Sequence, residues 1–212
     1  MITVHRIVNS PVNSNCFVLF DKTVCDDCII VDPASKYNEN LLCFLREKNL
    51  APKYIVLTHE HFDHCWGVNE LVRRFQIPIV CSELCAESIK NEKKNCSVFY
   101  DNKERFTINS ETVSVESIGF KLHFADVDIL FYSTPGHTEG SICFVFGKFL
   151  FTGDTLIQNL RTVTKLPGGS VKKLRESLEF LQTFFGKGVH VCAGHGEEFE
   201  LDEYDLPKAI CL

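Results

Sequence analysis

The chain has no apolar run approaching the ~20 residues needed to cross a bilayer, which argues against an integral membrane protein. It has no N-terminal basic segment followed by an apolar stretch and a cleavage site. Met1-Ile-Thr-Val-His5-Arg6 opens directly on a strand-like pattern, so a cytoplasmic protein is expected. Clustered positive charge is also missing. The 22 Lys and Arg residues are outweighed by 28 Asp and Glu, for a formal net charge of -6, and the densest basic stretch, Lys172-Lys173 with Arg175, falls on a helical pattern. Nucleic-acid binders carry a concentrated basic footprint, so a small-molecule substrate is the expected partner. Trp and Met occur once each, and no linker, repeat or low-complexity tract interrupts the sequence.

What is present suits one folded unit. The 212 residues are 45% hydrophobic and 24% charged, enough for a self-sufficient core in a single domain over 1–212. Eighteen Phe predict a core rich in that residue. Eleven Cys, an odd number, read as small buried hydrophobes of a reducing compartment. Cys25 and Cys28 form a lone C-x-x-C, half of a tetrahedral zinc site, and Cys81 and Cys85 read as packing.

Hydrophobic patterning predicts strands at 2–8, 16–20, 28–32, 54–58 and 79–81, with helices at 38–48, 68–75 and 83–90. A second half follows with strands at 112–116, 121–124, 129–133, 142–146 and 149–152. A helix capped by Ser170 and striped by Leu174, Leu178, Leu181 and Phe185 leads to a last strand at 189–192. Two halves, each strands then helix, fit a sandwich of two sheets with helices outside.

The chemistry concentrates in Thr58-His59-Glu60-His61-Phe62-Asp63-His64. Imidazole and carboxylate together form the ligand set of Zn, Fe and Mn. In an extended segment residues two apart point the same way, so His59 and His61 are placed to grip one ion. The turn into the next helix aims Asp63 and His64 nearby. Glu60 is expected to face away. Three single residues follow, each after an apolar strand and beside a glycine: His137 in Thr134-Pro-Gly-His-Thr138, Asp154 in Thr152-Gly-Asp-Thr155, and His195 in Gly194-His-Gly196. His5, His123 and His190 belong to no such motif and read as structural.

This order resembles the metallo-β-lactamase superfamily, whose hallmark is H-x-H-x-D-H followed by a His, an Asp and a His, and all seven positions match. The likeness runs from the N-terminal strands and Val31-Asp32-Pro33 to Gly194-His-Gly196. It implies an α+β fold, a four-layer αββα sandwich. It further implies that His59, His61 and His137 hold one metal ion, that Asp63, His64 and His195 hold a second, and that Asp154 bridges them. Two divalent ions are therefore expected, zinc foremost, with Fe or Mn compatible. Asp154, where a Cys would stand, is unlike the best-known antibiotic-hydrolysing branch. The segments Thr134-Pro-Gly-His-Thr, Phe151-Thr-Gly-Asp-Thr and Leu166-Pro-Gly-Gly-Ser170 resemble hydroxyacylglutathione hydrolase (glyoxalase II). The sequence departs from that type by ending at Leu212, without its C-terminal helical extension, and by carrying Val163-Thr164-Lys165 where a Gly-Arg or Gly-Lys is usual. Arg161 or Lys165 is the candidate substitute anion contact.

The resemblance implies hydrolysis by a water activated between two ions, with Asp63 both ligating and orienting the nucleophile or receiving its proton. A thiolate leaves without a strong acid, and no dedicated acid stands beside the cluster, which favours thioesters over amides. The rival reading from another class is a persulfide dioxygenase, with one iron held by His59, His137 and Asp154. A lactonase or other ester hydrolase is a third. A phosphodiester hydrolase is disfavoured by the acidic charge, and a non-catalytic binding module by the intact ligand set.

Overall fold

The structure, a computed structural model, describes residues 1–100, 104–115, 121–185 and 188–203. Its first sheet takes six strands in chain order: β1 (Thr3–Val8), β2 (Asn15–Phe20), β3 (Asp27–Val31), β4 (Ala51–Val56), β5 (Ile79–Cys81) and β6 (Thr112–Ser114). The first two pairings are antiparallel and the next three parallel. Parallel neighbours need crossovers. These are α1 (Glu39–Lys48), the short α2 (Phe62–Cys65) with α3 (Val68–Phe75), and α4 (Glu83–Ser88) with α5 (Ser97–Tyr100).

The second sheet holds β7 (Lys121–Phe124), β8 (Val127–Ser133), β9 (Ile142–Phe146), β10 (Phe149–Gly153), β11 (His190–Ala193) and β12 (Phe199–Glu200), ordered β12-β11-β10-β9-β8-β7. Here α6 (Val171–Phe184) makes the single parallel crossover, from β10 to β11.

Side-chain alternation explains the layering. Along β2, Cys16, Val18 and Phe20 join a core under the helices of the first sheet, while Phe17 and Leu19 join the core between the sheets. Both faces are covered, so all of β2 is buried, and after Asn15 it is apolar without polar alternation. Likewise Cys143, Leu150, Val191 and Ala193 pack with Leu174, Leu178 and Leu181 of α6, while Phe144 and Phe151 face inward. The four layers are thus helix, sheet, sheet, helix, the αββα sandwich that the sequence predicts. The inner core is built on Phe as expected: Phe17, Phe131, Phe144, Phe146 and Phe151 lie in it, and the rings of Phe144 and Phe151 stack with centroids 4.5 Å apart.

The differences are local. The strand predicted from Tyr54 begins at Ala51 and runs through Pro52, which sits where the pairing register with β3 shifts, so its missing N–H costs the ladder little. The strand predicted from Ile129 begins at Val127, and the helices predicted over 38–48 and 83–90 span Glu39–Lys48 and Glu83–Ser88. Of the strand predicted at 112–116, the first three residues are strand, and Glu116 lies outside the described residues. Ser170 caps α6, its hydroxyl accepting from Lys173 N. Among the described residues no helix is long and apolar enough to cross a membrane.

Candidate metal centre

The parallel strands β3 and β4, and likewise β10 and β11, end at the same rim of the sandwich. Asp32 follows β3, Thr58-His59 follows β4, Asp154 follows β10 and His195 follows β11. The β8–β9 turn brings His137. The rims are tied together: Ile142 N donates to Thr58 O at 2.8 Å, Asn15 N to Gly194 O at 2.7 Å, and Ser14 forms a bridge with His195. His61 is extended and immediately precedes α2, which carries Asp63 and His64. A four-residue helix leaves no periodic trace, which is why it is invisible in the sequence.

All seven residues predicted from the motifs converge. The ligand atoms of His59, His61 and His137 lie within 4.8 Å of one another, as do those of Asp63, His64 and His195. Asp154 stands between the two groups, its carboxylate oxygens 3.4 Å from His64 Nε2, 3.5 Å from His195 Nε2 and 3.7 Å from His137 Nε2. Close packing makes this possible at Gly194: a Cβ there would overlap Asp154 Oδ1 and come within 2.7 Å of His64 Cε1. Gly136, at φ +144°, lies against the backbone of Leu174 and sets the turn that delivers His137.

Hydrogen bonds fix which ring nitrogen faces inward. Thr58 Oγ1 donates to Asp32 Oδ2 at 2.6 Å and is left to accept from His59 Nδ1 at 3.1 Å, so His59 Nε2 keeps its lone pair. His137 Nδ1 donates to Val163 O at 2.7 Å, which frees Nε2. That Nε2 faces His61 Nδ1 at 2.8 Å, a pairing of nitrogens served by one proton or by a shared cation.

Asp32 is the residue whose role the motif reading missed. It is 2% exposed, and it accepts from Thr58 N at 2.8 Å, from Thr58 Oγ1, and from His64 Nδ1 at 2.9 Å. A third group of possible ligands, Asp32 with His59 and His64, is therefore already spoken for by these bonds. Asp32 acts behind His64 by orienting it. An acid directly after an apolar strand, in Val31-Asp32-Pro33, was its only sequence signal.

The residues fit divalent cations. Five buried side-chain atoms among the described residues have no hydrogen-bond partner, and four of them are His59 Nε2, His61 Nε2, His64 Nε2 and Asp154 Oδ1. Unpaired buried polar atoms are costly, so their concentration here marks a place built for an additional partner. Burial holds the imidazole of His59 well below its ordinary pKa, helped by the neighbouring imidazoles, and brings His61 down to about 3. Neutral imidazole is the form that ligates. Burial works against ionisation of Asp154, but the adjacent His64 outweighs it and keeps the carboxyl well below its usual range. Asp63 behaves alike, with His195 prevailing over burial. Burial works against protonation of His64 and His195, but Asp154 beside the first and Asp63 beside the second prevail and raise both, so a cation bound there would take the place of protons.

Beside the clusters lies a cavity of about 320 Å³, lined by His61, Asp63, His137, Asp154 and His195 together with apolar residues. Arg161 lines it, whereas Lys165 is not among its lining residues. Glu60 is 4% exposed and takes a bond from Thr138 Oγ1 at 2.9 Å, away from the ring nitrogens as predicted. The other histidines have structural partners: His5 stacks on Phe44, His123 pairs with Asp128, and His190 sits between Glu198 and Glu200. Among the described residues neither Cys25 nor Cys28 joins a ligand group, while Cys81 and Cys85 are buried in the core as expected.

An αββα sandwich that presents two His/Asp clusters along one rim defines a metal-binding hydrolase scaffold. The family model of the metallo-beta-lactamase superfamily matches residues 9–184, and the chain belongs to that superfamily of metallo-hydrolases. Among its relatives is a hydroxyacylglutathione hydrolase of Hamiltonella defensa, 28% identical over 207 residues, which cover 97% of this chain and 71% of that one. Another is the probable metallo-hydrolase YqgX of Bacillus subtilis, 26% identical over 198 residues and covering 92% and 91%. Of solved structures, BLEG-1 B3 metallo-beta-lactamase superposes with a TM-score of 0.85 at 26% identity, covering 95% of each chain.

Proposed function

We propose that this chain is a thioester hydrolase of glyoxalase II type, working with two divalent ions, zinc foremost. His59, His61 and His137 would hold one ion, Asp63, His64 and His195 the other, and Asp154 would serve both. The observation that carries this reading is the position of Asp154, within 3.7 Å of nitrogens from both groups. The hydroxyacylglutathione hydrolase relative supports the choice of thioester. The ten cysteines among the described residues are all unpaired, which supports a cytoplasmic setting.

Bound there, such ions would supply Lewis-acid polarisation of an acyl carbonyl and activation of water at neutral pH. The chain's own residues do the rest. Asp32, Thr58 and Val163 O orient the imidazoles through their outer nitrogens. Asp63, anionic and 3.4 Å from His195, orients the attacking water and accepts its proton. Arg161 stands at the cavity to take an anionic group of the substrate. Glu60 is engaged with Thr138 and supplies no acid to the leaving group. A thiolate, with a parent pKa near ~8.5, needs none.

Metal analysis of the purified protein, with a thioester panel including S-lactoylglutathione and a β-lactam assayed on the same sample, tests this. Two equivalents of zinc with thioester turnover support it. Turnover confined to the β-lactam overturns the thioester assignment. One equivalent of iron with oxygen consumption on a persulfide overturns the hydrolase.

A further inference from the structure

The cavity beside the clusters has a mixed lining, polar and apolar. Besides the ligand side chains and Arg161 it is walled by Phe62, Cys96, Ile157, Leu160, Val163 and Leu166. Leu160, Val163 and Leu166 remain 54%, 51% and 38% exposed, three large apolar side chains left in water on one loop. Scattered exposed leucines need no explanation, but a contiguous set beside a reactive centre marks a binding surface. The loop is fixed to that centre. Val163 O accepts from His137 Nδ1 at 2.7 Å, and Thr162 Oγ1 donates to Asp154 O at 2.8 Å. The residue that orients His137 through its carbonyl thus also lines the cavity, so the apolar wall is held in register with the ligand side chains.

Glutathione carries two carboxylates and an ammonium, and its recognition calls for several charged or hydrogen-bonding partners. Among the described residues this cavity offers one cation, Arg161, and neither a lysine nor a second arginine lines it. At about 320 Å³ it lies at the small end of ligand pockets. We infer that the acyl group is an unbranched apolar chain, lying along Ile157, Leu160, Val163 and Leu166 with its carbonyl toward the two clusters. The inference rests on the thioester-hydrolase reading and adds the substrate class. In the reaction, a water oxygen bonds to the acyl carbon and the carbon–sulfur bond breaks with its electron pair on sulfur. Of the two water protons, Asp63 takes one and passes it to the departing sulfur, the other is lost to solvent, and a fatty carboxylate and a thiol are released.

The test uses the metal-loaded protein with acetyl, butanoyl, hexanoyl and octanoyl thioesters of N-acetylcysteamine, alongside S-lactoylglutathione. Each buried methylene is expected to raise kcat/KM about fourfold until the cavity fills, which is about 0.8 kcal/mol at 1.4 kcal/mol per tenfold. Hexanoyl thioester should outrun S-lactoylglutathione. The double variant Leu160→Ser/Leu166→Ser, altered only at exposed positions, should flatten the series to below about twofold per methylene. A second readout is calorimetric binding of the octyl thioether of N-acetylcysteamine to the metal-free protein, expected to weaken at least tenfold in the double variant. A flat series with S-lactoylglutathione preferred overturns the apolar-chain assignment and leaves the hydrolase intact. If no thioester is turned over, the thioester-hydrolase reading falls. The calorimetric arm then decides the cavity by itself: binding lost in the double variant supports it, and no binding to the wild type overturns it.

Discussion

Asp32→Asn isolates the orientation of one ligand without disturbing the fold. Asp32 sits at φ 48°, a conformation that Asn tolerates well, and Asn matches its size. The backbone donor Thr58 N cannot change role, so the remaining carbonyl oxygen of the amide stays on it. The new NH2 then faces Thr58 Oγ1 and His64 Nδ1, which Asp32 Oδ2 now serves at 2.6 and 2.9 Å. The threonine hydroxyl can turn and accept. His64 cannot keep a proton on Nδ1 against a donor, so its proton moves to Nε2 and the lone pair meant for an ion is lost. Replacing such an outer partner typically lowers metal affinity by about 10- to 100-fold, or about 1.4 to 2.7 kcal/mol. The loss should fall on the ion held by Asp63, His64 and His195. The ion at His59, His61 and His137 should bind within about threefold of wild type, since that group does not include His64. The assay is zinc titration of chelator-stripped protein against a competing dye, resolved into two steps, with circular dichroism confirming the fold. A folded variant that takes up both equivalents at wild-type affinity would refute the orienting role of Asp32.

Other changes separate ligation, packing and charge. His59→Ala and Asp154→Ala should each abolish thioester hydrolysis and lower bound metal by mass spectrometry; full activity in either would dismantle the proposed centre. Gly194→Ala introduces a methyl against Asp154 Oδ1 and His64 Cε1. It should reduce kcat by about 10- to 100-fold with secondary structure intact, because a displacement near 1 Å at the reacting groups costs about that much. His190 titrates outside the centre. Burial lowers its pKa, but the carboxylates of Glu200 and Glu198, each 2.8 Å from a ring nitrogen, prevail and raise it above the ordinary value. Its contribution to stability is therefore fully present below about pH 6.5 and is lost as pH rises through the higher folded value. His190→Gln should remove that part of the fall in urea midpoint over this window, and an unchanged pH dependence would show that the two carboxylates do not hold it.

The pattern of hits and misses follows from what leaves a trace in a linear sequence. Buried strands such as β2 and β9 are legible because both faces are apolar, and α6 because Leu174, Leu178 and Leu181 recur on one face. The two-residue β12 and the four-residue α2 and α5 carry too few positions for any period to register. Pro52 hides the start of β4, because a proline ordinarily ends a strand and only the register shift beside it accommodates this one. In the centre, His59, His61, Asp63 and His64 announce themselves because few other roles justify so many imidazoles and a carboxylate in six residues. His137, Asp154 and His195 are individually ambiguous and become readable only as an ordered set.

Asp32 and the Leu160–Leu166 wall illustrate the opposite limit. A lone acid after a strand and leucines in a loop are ordinary in sequence. Their meaning lies in the partners that the fold supplies, His64 Nδ1 for the acid and the shared cavity for the leucines. This division is physical. Direct ligands are constrained by side-chain chemistry, which a sequence displays, whereas orienting and substrate-contacting residues are constrained by position, which only the packed chain reveals. For the same reason, exchanging His59 should be intolerable in any relative that uses the centre. The wall at 157–166 can instead be rebuilt while the centre stays intact, because its hold on His137 runs through the carbonyl of Val163 and not through its side chain. Val163→Thr, which keeps that carbonyl and the β-branch but places a hydroxyl in the cavity, should therefore leave metal content unchanged. It should reduce kcat/KM for hexanoyl thioester several-fold more than for acetyl thioester. A loss of metal in this variant would mean that the side chain, and not the backbone, positions His137.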